Sequence, residues 1–295
     1  MTEPQAAAEN DVWTVQRILQ WTTGFLEGKG VESPRLEAEL LLAHARGCQR
    51  IHLYTSLDME LTAEERAAMR GFVKRRAARE PLAYITGTKE FYGREFYVGQ
   101  GVLVPRPETE TLIDVCLDFL PKDQESTIAE VGFGSGCISI TLAKQRLGLN
   151  VIAGDISDDA LSFAKKNGEK QDVQNRIQWL LADGITELNL PSDQPIAGIV
   201  SNPPYIRNDE FAGLEPEVRL HEPETALTSG TDGLDLVRRL ISEAATVLKP
   251  NGWMALEVDP MQCSSVEGLF QEAGFSSSKV HQDLSGNDRI VSAVR

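Results

Sequence analysis

Apolar residues between Val12 and Val73 recur every three or four positions, whereas those after Thr127 gather into short solid runs separated by helical stretches. The first texture belongs to helices buried along one face. The second belongs to parallel strands covered on both faces, which have no polar side to show. Val12, Val15, Ile18, Leu19, Phe25 and Leu26 predict one amphipathic helix, stopped by Gly28-Lys29-Gly30. Ser33 as N-cap and Pro34 in the first turn predict a second, through Leu36, Leu40 and Leu41, with Gly47 as terminator. Thr62 and Glu65 have the spacing of a capping box and predict a third, through Met69, Phe72 and Val73.

From Pro81 to Val104 the texture becomes β-type runs broken by glycines (LAYITG, KEFYG, REFYVGQG, VLVP), which predict a hairpin connector. After Pro107 strands and helices alternate: TIAEV (127–131), a helix over 136–147, NVIAGD (150–155), a helix over 158–169, RIQWLLAD (176–183) and PIAGIVSN (195–202). A helix over 233–248, the strand WMALEV (253–258), a helix over 262–273 and strands over 277–282 and 288–294 follow. The fold class is therefore α/β, a parallel sheet with helices on both faces. A chain of 295 residues has room for one large domain and one small. The expected limits are a helical domain at 1–80, a connector at 81–105 and the α/β domain at 106–295.

Composition narrows the functional classes. Residues 1–80 hold 11 Lys/Arg against 12 Asp/Glu, so the remainder holds 18 against 32, a net charge of −14. Stable binding to duplex DNA draws on cations at phosphates, and such a body is poorly suited to it. One basic stretch stands out: Arg70, Lys74, Arg75, Arg76 and Arg79 read either as a surface for an acidic partner or RNA, or as a solvated face with favourable charge at a helix C-terminus. Four scattered cysteines without a CxxC, and a start (MTEPQAAAEN) without basic or apolar regions, point to a reducing cytosol. Apolar stretches such as AELLLAHA fall short of the ~20 residues of a membrane helix. The four histidines have no metal-ligand spacing, and no metal is expected.

Gly132-Phe133-Gly134-Ser135-Gly136 sits where a buried strand meets a helix, the place where open parallel sheets bind nucleotide-like ligands. Glycine there permits a tight turn and close ligand approach. A dinucleotide fingerprint, G-x-G-x-x-G, needs a small residue at its third glycine position, which here is Cys137, with glycine one residue earlier at Gly136; the GxGxG spacing instead favours S-adenosyl-L-methionine. Asp155 ends the next strand, where its carboxylate can accept both ribose hydroxyls, and Asp183 ends the third, where it can take the adenine amine. Either acid could instead merely cap a helix, and the loop could be punctuation.

Asn202-Pro203-Pro204-Tyr205 follows the fourth strand. A carboxamide nitrogen is a poor nucleophile that offers two N–H donors. It must be aimed, and its hydrogens must meet acceptors: the Asn202 side-chain carbonyl and the Pro203 main-chain carbonyl, the latter fixed by two restricted φ angles. Tyr205 would give the planar group a face. The same four residues could also form an ordinary turn.

At this point the chain resembles the PrmC/HemK family over nearly its whole length. The resemblance rests on EPLAYITGTKEFYG (80–93), VLVPRPETE (102–110), GFGSG (132–136), GDIS (154–157), SNPPYI (201–206), EPETALTSGTDGLD (222–235) and GNDRIV (286–291). It implies a seven-stranded Rossmann-like methyltransferase domain with antiparallel pairing of its last strand. It also implies methyl transfer from S-adenosyl-L-methionine, with S-adenosyl-L-homocysteine as product, to the glutamine amide nitrogen in the Gly-Gly-Gln motif of class I peptide chain release factors. Gly132 to Gly136, Asp155, Asp183, Gly184 and Asn202 would then contact the cofactor, Asn202 to Tyr205 would hold the glutamine, and the helical domain would recognise the release factor. Two positions depart from the family pattern: Phe133 stands where Thr is usual, and Gly184 stands where many members carry a bulky residue over adenine, leaving that role to Ile185 or to nothing. The alternatives are a glutamine methyltransferase acting on a ribosomal protein, a nucleic acid amino-methyltransferase, and, from other classes, a non-catalytic cofactor-binding protein or a dinucleotide-dependent dehydrogenase.

Overall fold

The computed structural model describes residues 12–191 and 196–295; the reading of residues 1–10 and the start of the predicted fourth strand at Pro195 lie outside them. Contacts divide the chain into two units, Met1–Thr86 and Gly87–Arg295.

The first unit is helical: α1 (Val15–Glu27), α2 (Pro34–Arg46), α3 (Arg50–Tyr54), α4 (Ala63–Ala77) and α5 (Leu82–Thr86). The periodic apolar residues close one core containing Val15, Leu19, Leu41, Leu42, Met69 and Val73. The capping box on α4 is present in both directions, and Gly47 ends α2 in the left-handed conformation. Val12 lies outside α1, because Thr14 caps it by accepting from the Arg17 N–H. The segment LAYITG, expected as a strand, instead forms α5. The Pro81 carbonyl accepts from both Tyr84 and Ile85 N–H, which starts a helical turn, and Tyr84 and Ile85 are buried on it. VLVP likewise forms no strand.

The basic stretch splits in two. Arg76 is buried and pairs with Glu37 of α2, Arg75 pairs with Glu80, and Arg79 donates to the Gly30 carbonyl at 2.7 Å. Those three tie helices together, whereas Arg70 and Lys74 face outward.

The second unit opens with the hairpin β1 (Thr88–Phe91) and β2 (Arg94–Tyr97). There follow α6 (Thr109–Phe119), β3 (Ser126–Val131), α7 (Cys137–Gln145), β4 (Leu149–Asp155), α8 (Asp158–Lys170), β5 (Ile177–Leu181), β6 (Gly198–Ser201), α9 (Pro216–His221), α10 (Asp235–Val247), β7 (Trp253–Glu257), α11 (Cys263–Glu272), β8 (Ser277–Gln282) and β9 (Asp288–Val294). The sheet order is β5-β4-β3-β6-β7-β9-β8; the first five strands are parallel, and β9 lies antiparallel to both neighbours. This is the seven-stranded, mixed, Rossmann-like sheet of the methyltransferases, with its core on buried runs such as Ile199-Val200 and Met254-Ala255-Leu256. No helix among the described residues is long and apolar enough to cross a membrane.

Candidate active site

The strand order reverses at β3, since the chain leaves it for β4 on one side and returns from β5 to β6 on the other. Open α/β sheets bind ligands at that place. Val131 lies opposite Ser201, whose hydroxyl donates to the Val131 carbonyl at 2.7 Å, so Gly132 and Asn202 leave the sheet side by side. A cleft opens above them.

On one side of this cleft the exposed surface is main chain. Gly132 (φ +75°) and Gly134 (φ +51°) are in the left-handed region that disfavours side chains. The place a Cβ would take on Gly134 is empty out to 4 Å, and on Gly132 it meets only the Asn202 carbonyl at 4.0 Å. The Gly134 N–H donates to Asp155 Oδ2 at 2.9 Å, and the Ser157 N–H donates to Oδ1 at 3.0 Å. Asp155 is thus pinned at the lip of the cleft, and burial raises its pKa. Ser135 Oγ is buried with no partner beyond the weak thiol of Cys137. Phe133 is buried, with its ring edge-on to Trp179 at 4.9 Å. Gly136 does not line the cleft; a Cβ there would stand 2.9 Å from the Trp179 ring, so it serves the docking of α7. Beneath the loop, Glu130 is fully buried and accepts from the Ser139 N–H at 3.0 Å and from its hydroxyl. Burial pushes this carboxyl up to about 8, against the ionising pull of those donors.

On the other side the exposed groups are side chains. Asn202 Nδ2 donates to Thr109 Oγ1 at 3.2 Å. Thr109 is buried at the start of α6, and its hydroxyl stabilises the carboxylate of Glu257 at the end of β7. The Thr109 oxygen is the acceptor that holds the Asn202 amide in place. This leaves Asn202 Oδ1, which accepts from no described residue, as the atom Asn202 offers to the cleft. Glu257 is 1% exposed, and burial pushes it up to about 7, opposed by Thr109 and Arg289. Its Oε1 also accepts from the Tyr205 hydroxyl at 3.4 Å. Of the four residues named from sequence on this side, Asn202 and Pro204 line the cleft; Pro203 and Tyr205 do not.

Further residues appear that spacing did not reveal. Arg106, which lines the cleft, pairs with the buried Glu222 at 2.7 Å, joining RPETE to EPETAL. Asp183 and Gly184, both named from the sequence, line it as well. Ile185, however, is 1% exposed in the hydrophobic core below and does not line the cleft, so it covers nothing there. A nucleoside-sized ligand can rest on the glycine turn, and a planar polar group can be oriented at Asn202, with the two adjacent.

Residues 17–87 match the model of the PrmC N-terminal domain, and residues 111–215 match that of the methyltransferase small domain. The chain is 41% identical to the release factor glutamine methyltransferase of Geobacter sulfurreducens, over 95% of this chain and 96% of the relative. It is 42% identical to that of Rhodopirellula baltica, over 97% and 98%. The chain belongs to the release factor glutamine methyltransferase family. The family's fold also extends to distant proteins: a methyltransferase from Pyrococcus furiosus, 18% identical, superposes with a TM-score of 0.52 over 75% of this chain and 98% of its own. Within this family member, Thr109 and Arg106 fall inside a segment the sequence had singled out, whereas Glu257 had no signal beyond ending an apolar strand.

Proposed function

We propose that this enzyme transfers a methyl group from S-adenosyl-L-methionine to the side-chain amide nitrogen of the glutamine in the Gly-Gly-Gln motif of class I release factors, in the cytoplasm. The observation that carries the reading is Asn202, held with its carbonyl free beside an open glycine turn, in a chain related end to end to release factor glutamine methyltransferases. The bare backbone at Gly132 and Gly134, the poorly partnered Ser135 hydroxyl and the remaining lone pairs of Asp155 fit the cofactor's amino acid and ribose parts. When bound, the cofactor supplies an electrophilic methyl on sulfonium. Asn202 Oδ1 accepts an N–H of the glutamine amide, which aims the nitrogen and favours electron density on it. Such orientation accounts for much of the rate, since well-aligned pairs gain on the order of 7–11 kcal/mol. No base is assigned, because the nitrogen loses its proton to water readily after methylation.

The helical unit is assigned to acceptor recognition. Trp21, half exposed, stacks on Phe25 at 5.1 Å, and Arg66, Arg70 and Lys74 follow at four-residue spacing on α4 without a carboxylate ion pair among the described residues. An apolar strip edged by unpaired cations suits an acidic protein surface.

The test is mass spectrometry of a purified class I release factor, the same factor with its target glutamine replaced, a glutamine-bearing ribosomal protein and a DNA duplex, each incubated with enzyme and cofactor. One methyl on the intact factor alone is expected. Label on the duplex or the ribosomal protein instead would overturn the assignment.

A further inference from the structure

In the sheet order, β5 is separated from β6 by β4 and β3. The turn after β5 therefore stands three strand spacings, about 14 Å, from the Asn202 end of the cleft. At this turn the chain carries Gly184, with φ at +85°. The space a Cβ would take there is held by the ends of two α10 side chains, with Glu243 Oε2 at 2.8 Å, Glu243 Oε1 at 3.1 Å and Arg239 Nη2 at 3.2 Å. Glu243, on α10, holds the turn itself by accepting from the Ile185 N–H at 2.6 Å and the Thr186 N–H at 3.3 Å. Ile185 is turned into the core. The residue that reaches the cleft at this point comes from α10: Arg239, with Leu236 one turn earlier.

Arg239 is gripped on its edge. Nη1 donates to Asp183 Oδ2 at 3.2 Å, Nη2 donates to Asp183 Oδ1, and Nε lies 3.7 Å from Glu243 Oε1. Carboxylates on two edges of a planar guanidinium fix its plane and leave its faces free. A weakly hydrated flat cation presented this way is a stacking partner for an aromatic ring. The same fork orients Asp183, whose other lone pairs remain available to an N–H donor.

We propose that Arg239 is a cofactor-binding residue of this chain: its guanidinium face covers the adenine ring beside Gly184, which has no side chain to do so, and its fork holds Asp183 for the ring's exocyclic amine. This rests on the S-adenosyl-L-methionine reading above. As a mere surface ion pair, Arg239 would matter little to ligand affinity.

Calorimetry with S-adenosyl-L-homocysteine, which binds without turnover, tests this on the full chain. Arg239→Ala is expected to weaken binding about tenfold, and Arg239→Lys, which keeps the charge but loses the flat face, to recover less than half of that loss on a logarithmic scale. The unfolding temperature without ligand should stay close to that of the unaltered chain, since the pair is at the surface. Unaltered affinity in Arg239→Ala would overturn the proposal, and full affinity in Arg239→Lys would overturn its stacking component. Absence of binding by the unaltered chain would instead remove the cofactor reading, and this inference with it.

Discussion

On the glycine-turn side of the cleft, the exposed groups are main-chain atoms, together with a carboxylate fixed by N–H donors at 2.9 and 3.0 Å. On the Asn202 side they are side chains held by other side chains, with Thr109 and Glu257 standing behind Asn202 and Tyr205. The first arrangement is rigid because a parallel sheet and a helix start define it. The second rests on two side-chain hydrogen bonds, from Asn202 to Thr109 and from Tyr205 to Glu257. A cofactor common to many reactions can be held by the former, while an acceptor that must be aimed needs the latter.

If the two sides are separable, their variants should fail differently. Asn202→Ala should lower kcat on a release factor by about 10²–10³-fold, in the range for losing a donor or acceptor aimed at the reacting group. Calorimetry should find S-adenosyl-L-homocysteine still bound. Equal collapse of binding and turnover would show that the two sides act as one. Gly134→Val should do the reverse. A β-branched residue at φ +51° is strained by about 1–2 kcal/mol and fills the space now open above the turn, so S-adenosyl-L-homocysteine affinity should fall by at least about tenfold. Its kcat at saturating cofactor should suffer less than that of Asn202→Ala.

Thr109→Val removes the acceptor of Asn202 Nδ2 without touching the reacting groups. With the hydroxyl gone, Asn202 is free to turn, and kcat should fall about tenfold, the worth of one oriented hydrogen bond to a polar group. Thr109→Ser should restore most of it, an outcome that a purely steric role for the methyl group would not give.

The smallest effect on activity is expected from Glu130, which faces neither ligand. Its carboxyl is raised from an ordinary 4.5 to about 8, so the folded chain keeps a proton that the unfolded chain releases. The resulting stability is full below pH 4.5 and is lost as pH rises towards 8, on the order of a few kcal/mol. Chemical denaturation across this range should show a flatter profile for Glu130→Gln. An unchanged slope would mean that Glu130 is ionised in the fold.

The two sides also differed in how far they could be read from sequence. That Gly132 to Ser135 and Asp155 line one cleft was legible because their placement is local, a turn between an apolar strand and a helix with the next strand ending at a fixed distance; Gly136 was placed there by the same spacing and is not among the lining residues. The position of Asn202 at the cleft was legible from its place at the end of the fourth apolar strand. Thr109 and Glu257 were not, because their contacts span 93 and 52 residues and no spacing rule connects them. Arg239 reaches Asp183 across 56 residues from a helix that reads as ordinarily amphipathic. The strand expected at LAYITG failed for another reason: in five residues, periods of 2 and 3.6 are hard to separate, and Pro81 decided in favour of the helix.

In the proposed reaction, sulfonium carbon and carboxamide meet above the adjoining ends of β3 and β6. A crystal structure with S-adenosyl-L-homocysteine and a Gly-Gly-Gln peptide bound together tests it most directly. The thioether sulfur is expected over the Gly132 turn, with the glutamine Nε2 donating to Asn202 Oδ1. A glutamine amide bound away from Asn202, or a sulfur lodged elsewhere in the unit, would contradict it.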